Sequence, residues 1–250
     1  MTEPRAFVIG DSHTRAISQA IASAPHNLGV RVDVHWIQTE SAGKTRGDMP
    51  LEQAAAEIAR LAPTDIVVVS LLGTFHNIFG LLQHDKPYWI LPPSGAPEEI
   101  PPGHTLIPRH VMEDTLTSWC AKNKRIEVLL RECRARRYHL MTPPPKADNR
   151  FIGDRTKTYR NREVTEDSLA PATLRLRLWQ VEMIALARFC APLSMQLVAP
   201  PPAALTPERF LAPAYYGDDA THANAAYGSL VVAQLAALAK NPSAGQPEGR

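Results

Sequence analysis

The run Asp65-Ile66-Val67-Val68-Val69-Ser70-Leu71-Leu72 leaves almost no side chain fit for water. Successive residues of a strand point to opposite faces, so a strand that is apolar on both must be covered on both. That demand points to a parallel sheet sandwiched between helices. Four more segments read as strands in support of it: Ala6–Ile9, Val30–Ile37, Tyr138–Thr142 and Met195–Ala199. In Val30–Ile37 the apolar Val30, Val32, Val34 and Trp36 alternate with Arg31, Asp33 and His35. Helical spacing separates the strands. Ile17, Ala20 and Ile21 follow the first, and helices are expected at about 49–61, 123–137 and 224–240. Leu174, Leu178, Val181, Ala185 and Phe189 mark a further, longer helix. Strict alternation of this kind predicts an α/β fold, a doubly wound parallel sheet of about five strands with helices on both faces.

One domain is expected over residues 1–240, with 241–250 a disordered tail and 78–122 an irregular, proline-rich insertion of loops and short helices over the functional edge. Asp48 is placed to cap the helix after the second strand, and Pro50 suits its first turn. A formal charge of +2 gives no reason to expect a nucleic-acid or membrane partner, and no apolar stretch reaches membrane-spanning length. Cys120, Cys133 and Cys190 form no CxxC pair, and an odd count suits free thiols, so a cytoplasmic setting is expected. No metal-ligand spacing, dinucleotide turn or phosphate loop is found, and no cofactor is expected.

Open parallel sheets bind ligands beyond the carboxyl ends of their strands. Here that rule selects Gly10–His13, Thr39–Asp48, Gly73–Gly80 and the prolines after strands four and five. In the first loop Ser12 sits on a tight strand-to-helix turn, where a hydroxyl is either a helix cap or a nucleophile. A nucleophilic serine needs a base. His13 adjoins Ser12, but neighbouring residues diverge at a helix start. Near the other end, Asp219-Ala220-Thr221-His222 sets a carboxylate three residues before an imidazole, a spacing that fits either a surface loop or an oriented base.

Taken together, Gly10-Asp11-Ser12-His13 and Asp219-Ala220-Thr221-His222 resemble the two end motifs of the SGNH (GDSL) hydrolases, in the right order around the strand pattern. The resemblance implies a flavodoxin-like three-layer sandwich and a serine-dependent hydrolase acting on a small-molecule or carbohydrate ester. Ser12 matches the nucleophile, His222 the base and Asp219 the acid that orients it, with Asp218 the less suitable neighbour. The oxyanion hole would use the Ser12 N–H, Gly43 (Gly47 the alternative) and an asparagine after the third strand. This chain departs from the family there. Gly73 is followed by Thr74 and then Phe75 where asparagine is expected, so Asn77 becomes the nearest amide donor and Thr74 a weaker one. Acyl transfer to a sugar or alcohol on the same triad, or a non-catalytic binding protein on the same fold, are the competing readings. His76 and His84 flank the third loop, and surface or packing roles suit them better. The basic run Lys122, Lys124, Arg125, Arg131, Arg134, Arg136 and Arg137 reads as a solvated helix face, while Arg155, Lys157, Arg160 and Arg162 lie where an anionic substrate would meet them.

Overall fold

The computed structural model describes residues 3–23, 28–41, 43–95 and 98–241. The tail expected at 241–250 lies outside the described residues, apart from Asn241. Five strands form the central sheet: β1 (Arg5–Gly10), β2 (Arg31–Trp36), β3 (Ile66–Ser70), β4 (Arg136–Leu140) and β5 (Met195–Val198). They run β2-β1-β3-β4-β5, every pair parallel. All five residues of β3 are buried, as its two apolar faces require.

Alternation along β1 divides the core in two. Ala6 and Val8 face α1 (Thr14–Ser23) and the terminal helix Ala225–Lys240, whose Val231, Val232 and Leu235 are fully buried. Phe7 and Ile9 face the opposite layer, made by α2 (Leu51–Ala59), a short helix Arg125–Leu130 and the long helix Ala172–Cys190. Each aliphatic side chain so buried contributes about 1.5–3 kcal/mol through its removal from water. The helix after β2 begins differently from expectation. Pro50 is its cap residue, and the Asp48 carboxylate accepts the Trp36 N–H at 2.6 Å and caps no helix.

The proline-rich segment is more ordered than its composition suggests. It contains a 13-residue helix, Arg109–Ala121. Met112 and Leu116 of that helix join Trp89 and Ile90 in a satellite cluster against Leu174, Leu178 and Val181. Most of the insertion thus packs on the outside of the long helix. In the basic run 122–137, Lys122, Lys124, Arg131 and Arg134 are exposed, and the last two arginines are spent on carbonyls. Arg136 donates to Leu238 O and Ala239 O at the end of the terminal helix, and Arg137 to Cys133 O and Leu193 O. The three cysteines are buried and unpaired. No helix among the described residues is long and apolar enough to cross a membrane.

With β1 flanked by β2 and β3, the direction of winding reverses between β1 and β3. Their carboxyl ends open the crevice in which ligands of such sheets bind.

Candidate active site

Gly10 closes β1 against Ser70: a Cβ there would stand 2.5 Å from Ser70 O and 2.7 Å from the Thr14 side chain. Its role is therefore close approach, since its φ is not positive. Asp11 organises the turn that follows. Its carboxylate accepts the His13 N–H at 3.1 Å, and its carbonyl accepts the Thr14 N–H and hydroxyl. The capping work falls to Asp11, which frees the Ser12 hydroxyl. Burial raises the Asp11 carboxyl, against the pull of the His13 N–H and of the His222 and Arg125 charges.

The Ser12 hydroxyl donates to His222 Nε2 at 2.8 Å, a contact across 210 positions. Helix packing brings the two together. Ser12 precedes α1 and His222 precedes the terminal helix, and these helices touch so closely that a Cβ on Gly228 would fall 2.0 Å from Ala16 O. On the far side of the ring, His222 Nδ1 stands 2.7 Å from Asp219 Oδ2, while Asp219 Oδ1 accepts the backbone N–H groups of Thr221 and His222. Burial alone would raise the Asp219 carboxyl, but the hydrogen bond and charge of His222 outweigh it and hold the group well below the usual carboxylate range. An ionised partner at Nδ1 keeps the proton there and leaves the Nε2 lone pair facing Ser12. Asp218 plays no part in this line. Its side chain is fully exposed and pairs with Arg155 at 3.1 Å.

Two supports carry no mark in the sequence. Lys146, 1% exposed, donates to Gly217 O at 2.7 Å and to Asp219 O, and lies over the rings of Phe151 and Tyr216. Burial pulls its ammonium down to about 8, against the attraction of Asp219 and Asp218. It stitches the loop that presents Asp219 and His222. Glu182, fully buried on the long helix, accepts the Phe75 and His76 N–H groups at 2.9 and 2.8 Å and meets His76 Nδ1 at 2.7 Å. It fixes the start of the short helix Phe75–Gly80. His76 is thus a buried structural partner, and His84 stays at the surface.

Ser12 and His222 line a cavity of about 850 Å³ that also takes in Thr74 and Asn77. Asn77 is 8% exposed, and its side-chain amide has no hydrogen-bond partner among the described residues. Thr74 caps the short helix without using its hydroxyl. Gly43 does not reach the cavity. The segment read as a loop closes into a hairpin, Thr39–Ser41 paired with Lys44–Arg46, and lifts Gly43 to an exposed tip with open space around it. From this hairpin Thr39 and Arg46 line the cavity instead. Gly47, at φ 94, is pressed against Trp36 O and Ile37 O. The prolines after β5 line a separate cavity of about 550 Å³ with Trp179 and Met183.

Were a tetrahedral oxyanion to form above Ser12, the donors on the same cavity wall would be the Ser12 N–H, the Asn77 amide and the Thr74 hydroxyl. Asn77→Ala is expected to lower kcat by about 10²–10³ with little change in KM, because a donor aimed at developing charge acts mainly in the transition state. Steady-state kinetics on an activated ester measure both.

His13 stacks beside His222, ring centroids 4.7 Å apart. Its Nδ1 is shut from water without a partner, and burial, with the His222 charge, holds the ring down to about 3. His139 in β4 is similar: fully buried, held down to about 4 by burial, its Nε2 donating to Leu71 O. Both rings gain protons only on unfolding at mildly acid pH. The unfolded chain then binds more protons than the native one, so stability falls as pH drops below about 6.5. For His139 the loss is on the order of 3 kcal/mol once pH is below its folded value. Melting temperature measured from pH 7 to 4.5 is expected to fall, and less steeply in His139→Gln.

No family model and no curated protein matches the sequence. Among solved structures, an extracellular lipase from Streptomyces rimosus is 10% identical, with 94% of this chain and 99% of that chain covered at a TM-score of 0.44. Another solved structure is also 10% identical, covering 94% and 96% at a TM-score of 0.42. Similarity at this level says nothing about activity.

Proposed function

We propose that this protein is a serine-dependent ester hydrolase of the SGNH (GDSL) type, with Ser12 as nucleophile, His222 as general base and Asp219 as the acid that orients it. The observation that carries the reading is the continuous line Asp219 Oδ2–His222 Nδ1 at 2.7 Å and His222 Nε2–Ser12 Oγ at 2.8 Å. In the reaction Ser12 Oγ bonds to the ester carbonyl carbon as His222 Nε2 takes its proton. The carbonyl π bond opens onto oxygen, and that oxyanion is met by the Ser12 N–H and Asn77. Collapse of the intermediate breaks the bond to the alcohol oxygen, which leaves with the proton from His222. A water then repeats both steps on the acyl-serine and restores the hydroxyl.

Hydrolysis is favoured over transfer to another alcohol by the openness of the triad. The Asp219 and His222 side chains are 48% and 30% exposed, and transfer requires that water be kept from the acyl-enzyme. On this reading the unpaired Asn77 amide in the same cavity takes the place of the donor that the altered third motif lacks. A fluorophosphonate probe tests the reading by forming a bond to an activated serine. Labelling is expected on the peptide containing Ser12 and nowhere in Ser12→Ala. Wild-type protein that stays unlabelled would sink the proposal.

A further inference from the structure

Four arginines from four separate elements line the cavity that holds Ser12: Arg15 on α1, Arg46 at the end of the hairpin, Arg125 at the start of the helix Arg125–Leu130, and Arg160. Of the basic residues at 155–162, only Arg160 lies there. Arg155 is paired with Asp218, and Arg162 donates to Gln83 O and faces Asp85. Arg160 sits on the two-residue turn between Thr158–Tyr159 and Arg162–Glu163, where it and Asn161 both have positive φ, 51° and 64°. The arginines that form ion pairs among the described residues are others: 5, 31, 60, 109, 155, 162, 177 and 188.

The carboxylates on the same wall do not neutralise this group. Asp219 is engaged by His222 and Asp218 by Arg155. Asp11 accepts the His13 N–H and is felt by Arg125 alone of the four. Guanidinium groups that line one cavity without ion-pair partners keep N–H groups free, and the oxygens of a bound anion accept them. The apolar residues of the wall are Ala16, Trp36, Ile78, Tyr159 and Ala223.

We infer that the ester taken by this site carries an anionic group, a phosphate or a carboxylate, bound by the arginines of this wall, Arg46 and Arg160 together with Arg15 and Arg125. The inference rests on the ester-hydrolase reading for its chemistry, and on the arginines alone for its anion.

Two matched pairs of esters test it, each neutral member against an anionic one. The pairs are 1-acetylglycerol with 1-acetylglycerol 3-phosphate, and 4-nitrophenyl acetate with mono-4-nitrophenyl succinate. In at least one pair the anionic ester is expected to have a kcat/KM about tenfold or more above its neutral partner at low salt, a ratio that added salt erodes. The Arg46→Gln, Arg160→Gln double variant is expected to cut that ratio by about tenfold. Preference in the first pair alone assigns a phosphate, and in the second alone a carboxylate. Equal rates within both pairs, or a ratio unmoved in the double variant, overturn the inference while leaving the labelled serine intact. If no ester is turned over and no probe reacts, the hydrolase reading fails by itself. Calorimetry with glycerol 3-phosphate and with succinate then decides the anion site: binding lost in the double variant supports it, and no binding of either to the wild type overturns it.

Discussion

Ser12→Ala and His222→Ala are each expected to lower turnover of an activated ester by about 10⁴-fold or more, and the double variant to be no worse than either alone. On the proposed mechanism the two groups act as one unit. Without the base the serine hydroxyl keeps its proton, and without the serine the base has no nucleophile to serve. Their separation of 2.8 Å permits direct proton transfer with no bridging water. Among the described residues His13 is the other imidazole lining the cavity, and it is no substitute, because burial drives it to about 3 and makes it too weak a base. Rates measured with 4-nitrophenyl acetate under single-turnover conditions separate the chemical step from product release. A His222→Ala enzyme that keeps a tenth of wild-type turnover would assign the base elsewhere.

What the sequence discloses depends on whether the deciding contacts are local. β3 announces itself because burial on both faces leaves its mark on every residue from Ile66 to Val69. Ser12 and His222 are legible only as two separate motifs, since the contact that joins them spans 210 positions. Each lies in a short motif whose spacing sets its own geometry, and Asp219 reaches His222 within one turn of chain. The helix Arg109–Ala121 is obscured by the prolines before it, although Met112, Leu116 and Cys120 recur every fourth residue along its buried side. Gly43 misleads because its placement depends on pairing between Thr39–Ser41 and Lys44–Arg46, two strands with no apolar pattern to betray them. Lys146 and Glu182 leave no trace at all. Their partners are backbone groups 71 to 107 positions away, and nothing in the types of those residues records an N–H or a carbonyl awaiting a charge. Arg125 is hidden in another way. It belongs to a run of basic residues that elsewhere serves carbonyls and solvent, and only the fold turns this one toward Ser12.

Asp219→Asn is expected to lower kcat by about 10⁴-fold with the fold intact, while Asp218→Asn leaves it within a factor of two or so. The contrast follows from what an amide does beside an imidazole. The Asp219 carboxylate only accepts, so it holds the His222 proton on Nδ1 and leaves Nε2 as the acceptor for the Ser12 hydroxyl. An asparagine can turn its NH₂ toward Nδ1, which moves the ring proton to Nε2 and sets it against the hydroxyl it should deprotonate. The backbone bonds from Thr221 and His222 to Oδ1 survive, because the amide oxygen replaces the carboxylate oxygen there. Those two bonds also dictate which amide atom faces the ring, since Oδ1 is already claimed and only the NH₂ remains to meet Nδ1. Asp218 has no such hold on the imidazole: among the described residues its fully exposed carboxylate meets Arg155, a solvent-screened surface pair. Kinetics on the two variants, with melting temperatures to establish that both are folded, read the difference directly. Damage from Asp218→Asn alone would transfer the orienting role to the neighbouring carboxylate and break the proposed triad.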